Sequence, residues 1–436
     1  MTTSQLENPG FKSRLKDSVL PSETAPGTIR SGIPGGIETA PARDTSKRIP
    51  ELDGLRGTAI LFVLIWHYFY FYPASGHRPA GILRSLYVHF ERCIAIGWSG
   101  VDLFFVLSGF LIGGILLDAK GSPNYFKAFY TRRFFRIIPV YYVWIAAYFL
   151  TLAAFHFARI GNSYAAGEPN AWVILAHFLF IQNLGFVNYS GIAGPWFTST
   201  WSLAVEEQFY LISPLVIRVF PRRFLPVLLG SVVVAAPLIR LYVHYHWHAN
   251  MTLDPAYVLM PCRADALAIG MLAAYLYRES AFRAFLSNRI NFLRGFWAAL
   301  FAGFVILTIS SPDQHSIVMI SVGYTWLAFL YVATLLLVLV KPNSALAAVS
   351  RSRGLRELGR ISYCVYVIHQ AVIYFVAKAL LSVAVFSTAF RTAAAPLLAI
   401  GITIGVARVS WRLFESKLIA RGHSYSYGVT QAASTR

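Results

Sequence analysis

One stretch, residues 50–73, constrains the fold more than any other. It opens Pro50-Glu51-Leu52-Asp53-Gly54-Leu55-Arg56-Gly57-Thr58 and continues as an apolar and aromatic run to Tyr72 and Pro73. From Leu55 to Tyr72 only Arg56, Gly57, Thr58 and His67 interrupt that run. Such a length crosses a hydrocarbon layer about 30 Å thick as a helix. Arg56 and His67 are eleven residues apart, close to three whole turns at about 100° per residue, so both leave the helix on nearly one face. They are separated by about 16 Å along the axis, one at the membrane edge and the other well inside. An ionisable group at that depth is costly and marks a candidate site. The plain alternative is a histidine hydrogen-bonded within a bundle.

Composition places the whole chain in the same class. Hydrophobic residues make up 56% and charged residues only 13%, against about 25% charged in soluble domains. With apolar runs recurring along 436 residues, the expected fold is an all-α polytopic membrane protein. The expectation is about ten transmembrane helices plus one short re-entrant or shallow helix, with both termini cytoplasmic. Cys93, Cys262 and Cys364 lie far apart, so no metal site and no disulfide framework is expected. The net charge of +19 follows the positive-inside rule, because Lys and Arg cluster in short connections, and nucleic acid is rejected as a partner.

Three regions are expected. Residues 1–48 mix Ser, Thr, Pro, Gly and charges and read as a disordered cytoplasmic tail. A transmembrane domain covers 49–418, and a short cytoplasmic C-terminal tail covers 419–436. A polar connection with Arg78, Arg84 and Arg92 leads to a second span at about Ile94–Leu117. That span runs inward and places Asp102 at the depth of His67, where a carboxylate would fix the histidine tautomer and stabilise its imidazolium.

The next connection is strongly basic. Arg132, Arg133 and Arg136 are spaced to share roughly one face at the start of the third span, which ends near His156. Part of that charge is topogenic, and part offers the rigid bidentate donors that suit a cytoplasmic phosphate ligand. Residues 172–187 have both ends on the outer side and are expected to be re-entrant or shallow. The fifth span starts at Trp201 and carries Glu206 and Glu207, expected near the outer face. In the seventh span, Arg263 and Asp265 either neutralise each other or contact a polar ligand. The tenth holds Tyr363 and His369, and the last runs from about Ala393 to Val409.

Taken together, these residues resemble the membrane-bound acyltransferase 3 family. The resemblance rests on Arg56 with His67, Gly100-Val101-Asp102-Leu103-Phe104-Phe105-Val106-Leu107-Ser108-Gly109, the Arg132–Pro139 cluster, Trp201-Ser202-Leu203 with Glu206-Glu207, and Ile361-Ser362-Tyr363 with His369. All five lie in order across about residues 48–418. The resemblance implies transfer of an acyl group, with acetyl expected, from cytoplasmic acyl-coenzyme A to a hydroxyl of an extracytoplasmic glycan or lipid-linked sugar. It implies the inner (plasma) membrane as location, and no C-terminal SGNH-type hydrolase-like domain is expected in this chain.

Arg56 and His67 then correspond to the family's essential arginine and histidine. His67 becomes the general base, with Asp102 as its partner. Arg56, Arg132, Arg133 and Arg136 would hold the donor phosphates. Trp201, Glu206, Glu207, Arg263, Asp265, Tyr363 and His369 would line the acceptor side. The competing reading is a proton-coupled transporter of a sugar, or a flippase of a lipid-linked sugar, using the same buried ionisable groups as a relay.

Overall fold

The computed structural model describes residues 49–71, 82–158, 171–188, 194–247, 253–382 and 387–428. The tail expected over 1–48 lies outside the described residues. Among those residues nine helices are long and apolar enough to cross a membrane. A tenth, α8 below, has the length but carries Glu206, Glu207 and Gln208 in its upper half.

The chain opens with α1 (Pro50–Ile65), extended by a π-helical turn, Trp66–Phe71. Pro50 at its first position and Glu51 and Asp53 in its first turn suit a helix N-terminus. The connection expected next contains an amphipathic helix, α2 (Ile82–Ile94), where Ile82, Leu86, Phe90 and Ile94 recur at helical spacing. A 3-10 turn (Ala95–Ser99) leads into α3 (Gly100–Asp118), and α4 follows (Tyr125–Phe157).

Residues 171–188 form two short helices, α5 (Ala171–Phe178) and α6 (Gln182–Asn188), neither long enough to span. Phe180 between them adopts φ 54°. The short α7 (Gly194–Phe197) and a buried 3-10 turn (Thr198–Thr200) precede α8 (Trp201–Val219). Then come α9 (Leu225–His246), α10 (Pro255–Val258), α11 (Met260–Arg278), α12 (Ser280–Asn288) and α13 (Ile290–Ser310). The chain closes with α14 (Tyr324–Val340), α15 (Ala345–Ser350), α16 (Arg353–Ser382), α17 (Thr388–Ser410) and α18 (Ser416–His423). The domain boundary expected at 418 falls inside α18, which packs on α4: Gly422 lies against Phe135 and Arg132.

Two parallel pairs organise the interior. In one, α3 lies beside α11, with Gly109 and Gly270 facing the backbones of Leu267 and Val106 so closely that no Cβ fits. The apolar stretches of these two helices are 78% buried, against 17% for α13, so α3 and α11 form the centre and α13 the lipid-facing rim. In the other pair α1 lies beside α16. Side chains at Gly54, Gly57 and Gly359 would strike the backbones of Ser350, Leu355 and Asp53. Small residues allow such approach where lipid supplies no hydrophobic drive between helices. The ends of α3 and α8 and the start of α4 meet on one arginine-rich face, where Arg218 donates to the Lys120 carbonyl and Arg222 to that of Leu117.

Candidate functional site

The α1–α16 pair brings His67 and His369 together. Their ring centroids lie 4.6 Å apart, edge to face. His67 sits in the π-helical turn, and its Nδ1 lies 2.8 Å from the Val63 carbonyl, the oxygen that an uninterrupted α-helix would give to the His67 amide. A carbonyl only accepts, so Nδ1 carries the proton and Nε2 the lone pair in the neutral ring. His369 is built the same way, with Nδ1–H donating to the Tyr366 carbonyl at 2.6 Å. The Tyr68 hydroxyl donates to the His369 backbone oxygen at 2.9 Å and meets Thr403 Oγ1 at 2.7 Å, which ties α1, α16 and α17 at this level. Trp66, Phe71 and Tyr366 complete the aromatic surround.

Asp102 does not pair with His67, contrary to the expectation from depth. Arg263 Nη2 donates to Asp102 Oδ1 at 2.5 Å, and both side chains are wholly buried. The cause is orientation: Asp102 turns towards α11, parallel and close to α3, while His67 turns towards α16. Nor do Arg263 and Asp265 neutralise each other. Two residues apart on a helix they face different sides, and Asp265 bonds Arg240 at 2.8 Å and Thr325 at 2.6 Å. Arg240 also donates to the carbonyls of Ile320 and Cys262. The Arg263 guanidinium lies 3.9 Å from the Tyr324 ring centroid. These four charges form two buried internal pairs and do not line the cavity below, as the acceptor-side reading required.

That cavity has an empty volume of about 440 Å³. Arg56, Glu206, Ser362 and Tyr363 border it at the arginine-rich end, and Val101, Ser202, Leu203 and Tyr366 at the other, with Phe104 and Phe105 along the wall. Glu206 is therefore displaced from its expected place near the outer face. It accepts from Ser108 at 2.8 Å and from Tyr210 at 3.1 Å, and it faces Arg56. The reason lies upstream: α8 begins from the buried turn Thr198–Thr200 inside the bundle, not at its surface.

Trp201, also expected on the acceptor side, is buried against Phe105 and Tyr257 and does not line the cavity. Glu207, about 100° round the helix, faces a second cleft of about 920 Å³ between α4 and α8, beside Arg133 and Tyr130. Its Oε1 has no hydrogen-bond partner among the described residues.

The three arginines of α4 fan out instead of sharing one face. Arg132 donates to the Tyr425 carbonyl at 2.9 Å and lies 4.7 Å from the Tyr427 ring. Arg133 turns to the α8 cleft and Tyr210. Arg136 lies in the field of Glu206 and Glu415. Tyr363 borders the cavity while its hydroxyl donates to the Ile137 carbonyl at 3.0 Å. Tyr366, at the cavity's far end, hydrogen-bonds Ser202 and donates to the Ser199 carbonyl, and its ring lies 5.6 Å from that of His369.

Sequence reasoning missed Arg240, Tyr366 and Ser108. An ionisable residue within the apolar α9 was a legible signal for the first; Ser108 stood inside the Gly100–Gly109 motif without a role of its own, and Tyr366 carried no signal. The polar residues of the 171–188 segment prove to be anchors, with Gln182 donating to the Thr200 carbonyl at 2.8 Å and Gln208 to Asn183 at 2.9 Å.

Comparison with known proteins adds a direct likeness. An acyltransferase-domain family matches residues 49–412. The peptidoglycan O-acetyltransferase OatA of Listeria monocytogenes is 26% identical over 391 residues, 87% of this chain and 57% of that protein. The O-acetyltransferase OatA of Staphylococcus aureus is 27% identical over 348 residues, 75% of this chain and 51% of its own. The chain thus spans about half the length of the curated relatives it matches. No solved structure matches it.

Proposed function

Because the chain belongs to the acyltransferase 3 family, we propose that this multi-pass membrane protein moves an acyl group, acetyl foremost, from cytoplasmic acyl-coenzyme A to a hydroxyl of an extracytoplasmic glycan or lipid-linked sugar. Its location is then the inner (plasma) membrane. The observation that carries the reading is the His67 ring, whose Nδ1–H is committed to Val63 so that Nε2 keeps a lone pair for a hydroxyl proton.

The donor's phosphates stay at the arginine-rich face. Arg133 and Arg56 each have a buried Nε without a partner among the described residues, which suits them to an anion. The slender pantetheine arm follows the cavity from Arg56 towards Tyr366. That ring closes the way to the imidazoles, so the thioester reaches them only when Tyr366 turns aside. The acceptor oxygen then attacks the acyl carbon as His67 Nε2 takes its proton, a transfer that typically contributes 10²–10⁴-fold. The C–S bond breaks, and the thiolate takes the proton from His67.

The relay that a proton-coupled carrier or flippase would need has less support. Asp102 and Asp265 are locked to Arg263 and Arg240, and neither carboxylate faces the imidazoles.

Release of coenzyme A thiol by the purified protein tests the reading. Wild type releases thiol with a glycan acceptor, and His67→Ala loses about 10²-fold or more while still binding coenzyme A. Arg132→Ala with Arg133→Ala raises the donor KM more than it lowers kcat. Full turnover in the histidine variant would remove His67 from the chemistry. Absence of thiol release together with sugar uptake into proteoliposomes would make the protein a carrier.

A further inference from the structure

His369 is a completely buried imidazole whose polar atoms are unevenly used. Its Nδ1–H goes to the Tyr366 carbonyl and its backbone oxygen to Tyr68. Its Nε2 has no hydrogen-bond partner among the described residues. An unsatisfied buried acceptor is costly, and an apolar ring of similar shape would fill the space without that cost. The neighbour across the helix seam is His67.

No carboxylate or guanidinium among the described residues hydrogen-bonds to or pairs with either ring; the titratable groups that face them are each other, Tyr68 and Tyr366. The charge that forms on His67 during acyl transfer therefore has no anionic partner. A linear N–H···N bond of about 3 Å between two imidazoles puts their centroids more than about 5 Å apart. The observed separation is 4.6 Å, edge to face, so the two rings are in direct contact without a hydrogen bond between them.

Resting on His67 as the base, we propose that His369 is its positioning partner: its ring packs on that of His67, holds it in place, and offers an uncharged, unprotonated neighbour to the imidazolium that forms. His67 alone carries the proton through the transfer. As the acceptor oxygen bonds to the acyl carbon, its proton moves to Nε2 of His67. As the C–S bond breaks, its electron pair leaves on sulfur, and the proton passes from His67 to the thiolate. Thioester and alcohol become ester and thiol, with no other reactant. In a dry, low-dielectric setting the contact of a charge with a polar ring is stronger than in water. His369 thus fills the place that spacing alone gave to Asp102.

The test compares His369→Gln, His369→Asn and His369→Ala in the full-length protein, with acetyl-coenzyme A as donor and a chitooligosaccharide as acceptor. Glutamine extends an amide to about the position of Nε2; asparagine reproduces only the Nδ1 contact to the Tyr366 carbonyl. The expected result is a loss in kcat of at least about tenfold for Ala and Asn with both KM values within about twofold, and partial recovery of kcat in Gln. All three should keep the thermal stability of the wild type within a few degrees. Wild-type kcat in Asn or Ala, or recovery by Asn alone, overturns the proposal and leaves a structural role. If wild type and His67→Ala release thiol equally, or neither releases any, the functional reading itself fails and His369 falls with it. Loss in His67→Ala with full activity in His369→Ala overturns only the partnership.

Discussion

Asp102 shows how far spacing along one helix can be taken. Rise per residue gives a side chain's height, and on that basis Asp102 and His67 belong together. It does not give the neighbour towards which the side chain turns. That neighbour is α11, packed on α3 through Gly109 and Gly270, so Asp102 meets Arg263. A residue-scale prediction separates the two roles. Asp102→Ala leaves Arg263 buried and unpaired, a loss of about 3–5 kcal/mol when one partner of a buried pair is removed. Its signature is low yield of folded protein and a lowered unfolding temperature, not a selective fall in kcat. Replacing both partners, Asp102→Leu with Arg263→Met, recovers part of the lost stability. Normal stability with abolished turnover in Asp102→Ala would return the carboxylate to the chemistry.

At the scale of elements, the glycines of the first span proved more informative than its apolar residues. Gly57 read in the sequence as an interruption; in the structure it lets α16 lie directly on α1, as Gly54 does for the end of α15. Gly359 does the same from the other side, meeting Asp53 and the Gly57 amide. Gly359→Leu forces the two helices apart, and overpacking of this kind costs about 1–3 kcal/mol. The expected outcome is a large fall in kcat with a smaller fall in stability, because His67 and His369 hang from opposite sides of the seam. Measuring both quantities on one preparation decides it; an unchanged rate would show that the ring separation is set elsewhere.

Across the whole molecule, the alternation of spans was legible because apolar runs and arginine clusters are one-dimensional signals. The short segment at 171–188 was legible from the parity of crossings around it. Which helices occupy the centre was not, since α3 and α13 are alike in apolarity and differ only in what surrounds them. The cavity's polar end was half legible: Arg56 was found, whereas Glu206 was set too near the outer face because nothing in the sequence shows that α8 starts from inside the bundle.

Orientation as a whole has a direct check. Cys93 is exposed before α3, whereas Cys262 and Cys364 are buried. A membrane-impermeant maleimide applied to intact cells labels Cys93 alone, to about one equivalent, and Cys93→Ser removes the signal. Labelling only after the cells are opened would invert the topology.

The seam between α1 and α16 has one more consequence. Two imidazoles on separate rods, spaced by side chains that are missing, form a gauge of lateral squeeze. A thinner or more fluid bilayer that lets those rods splay is expected to slow thiol release by the reconstituted protein with no residue changed, and a tighter one to restore it.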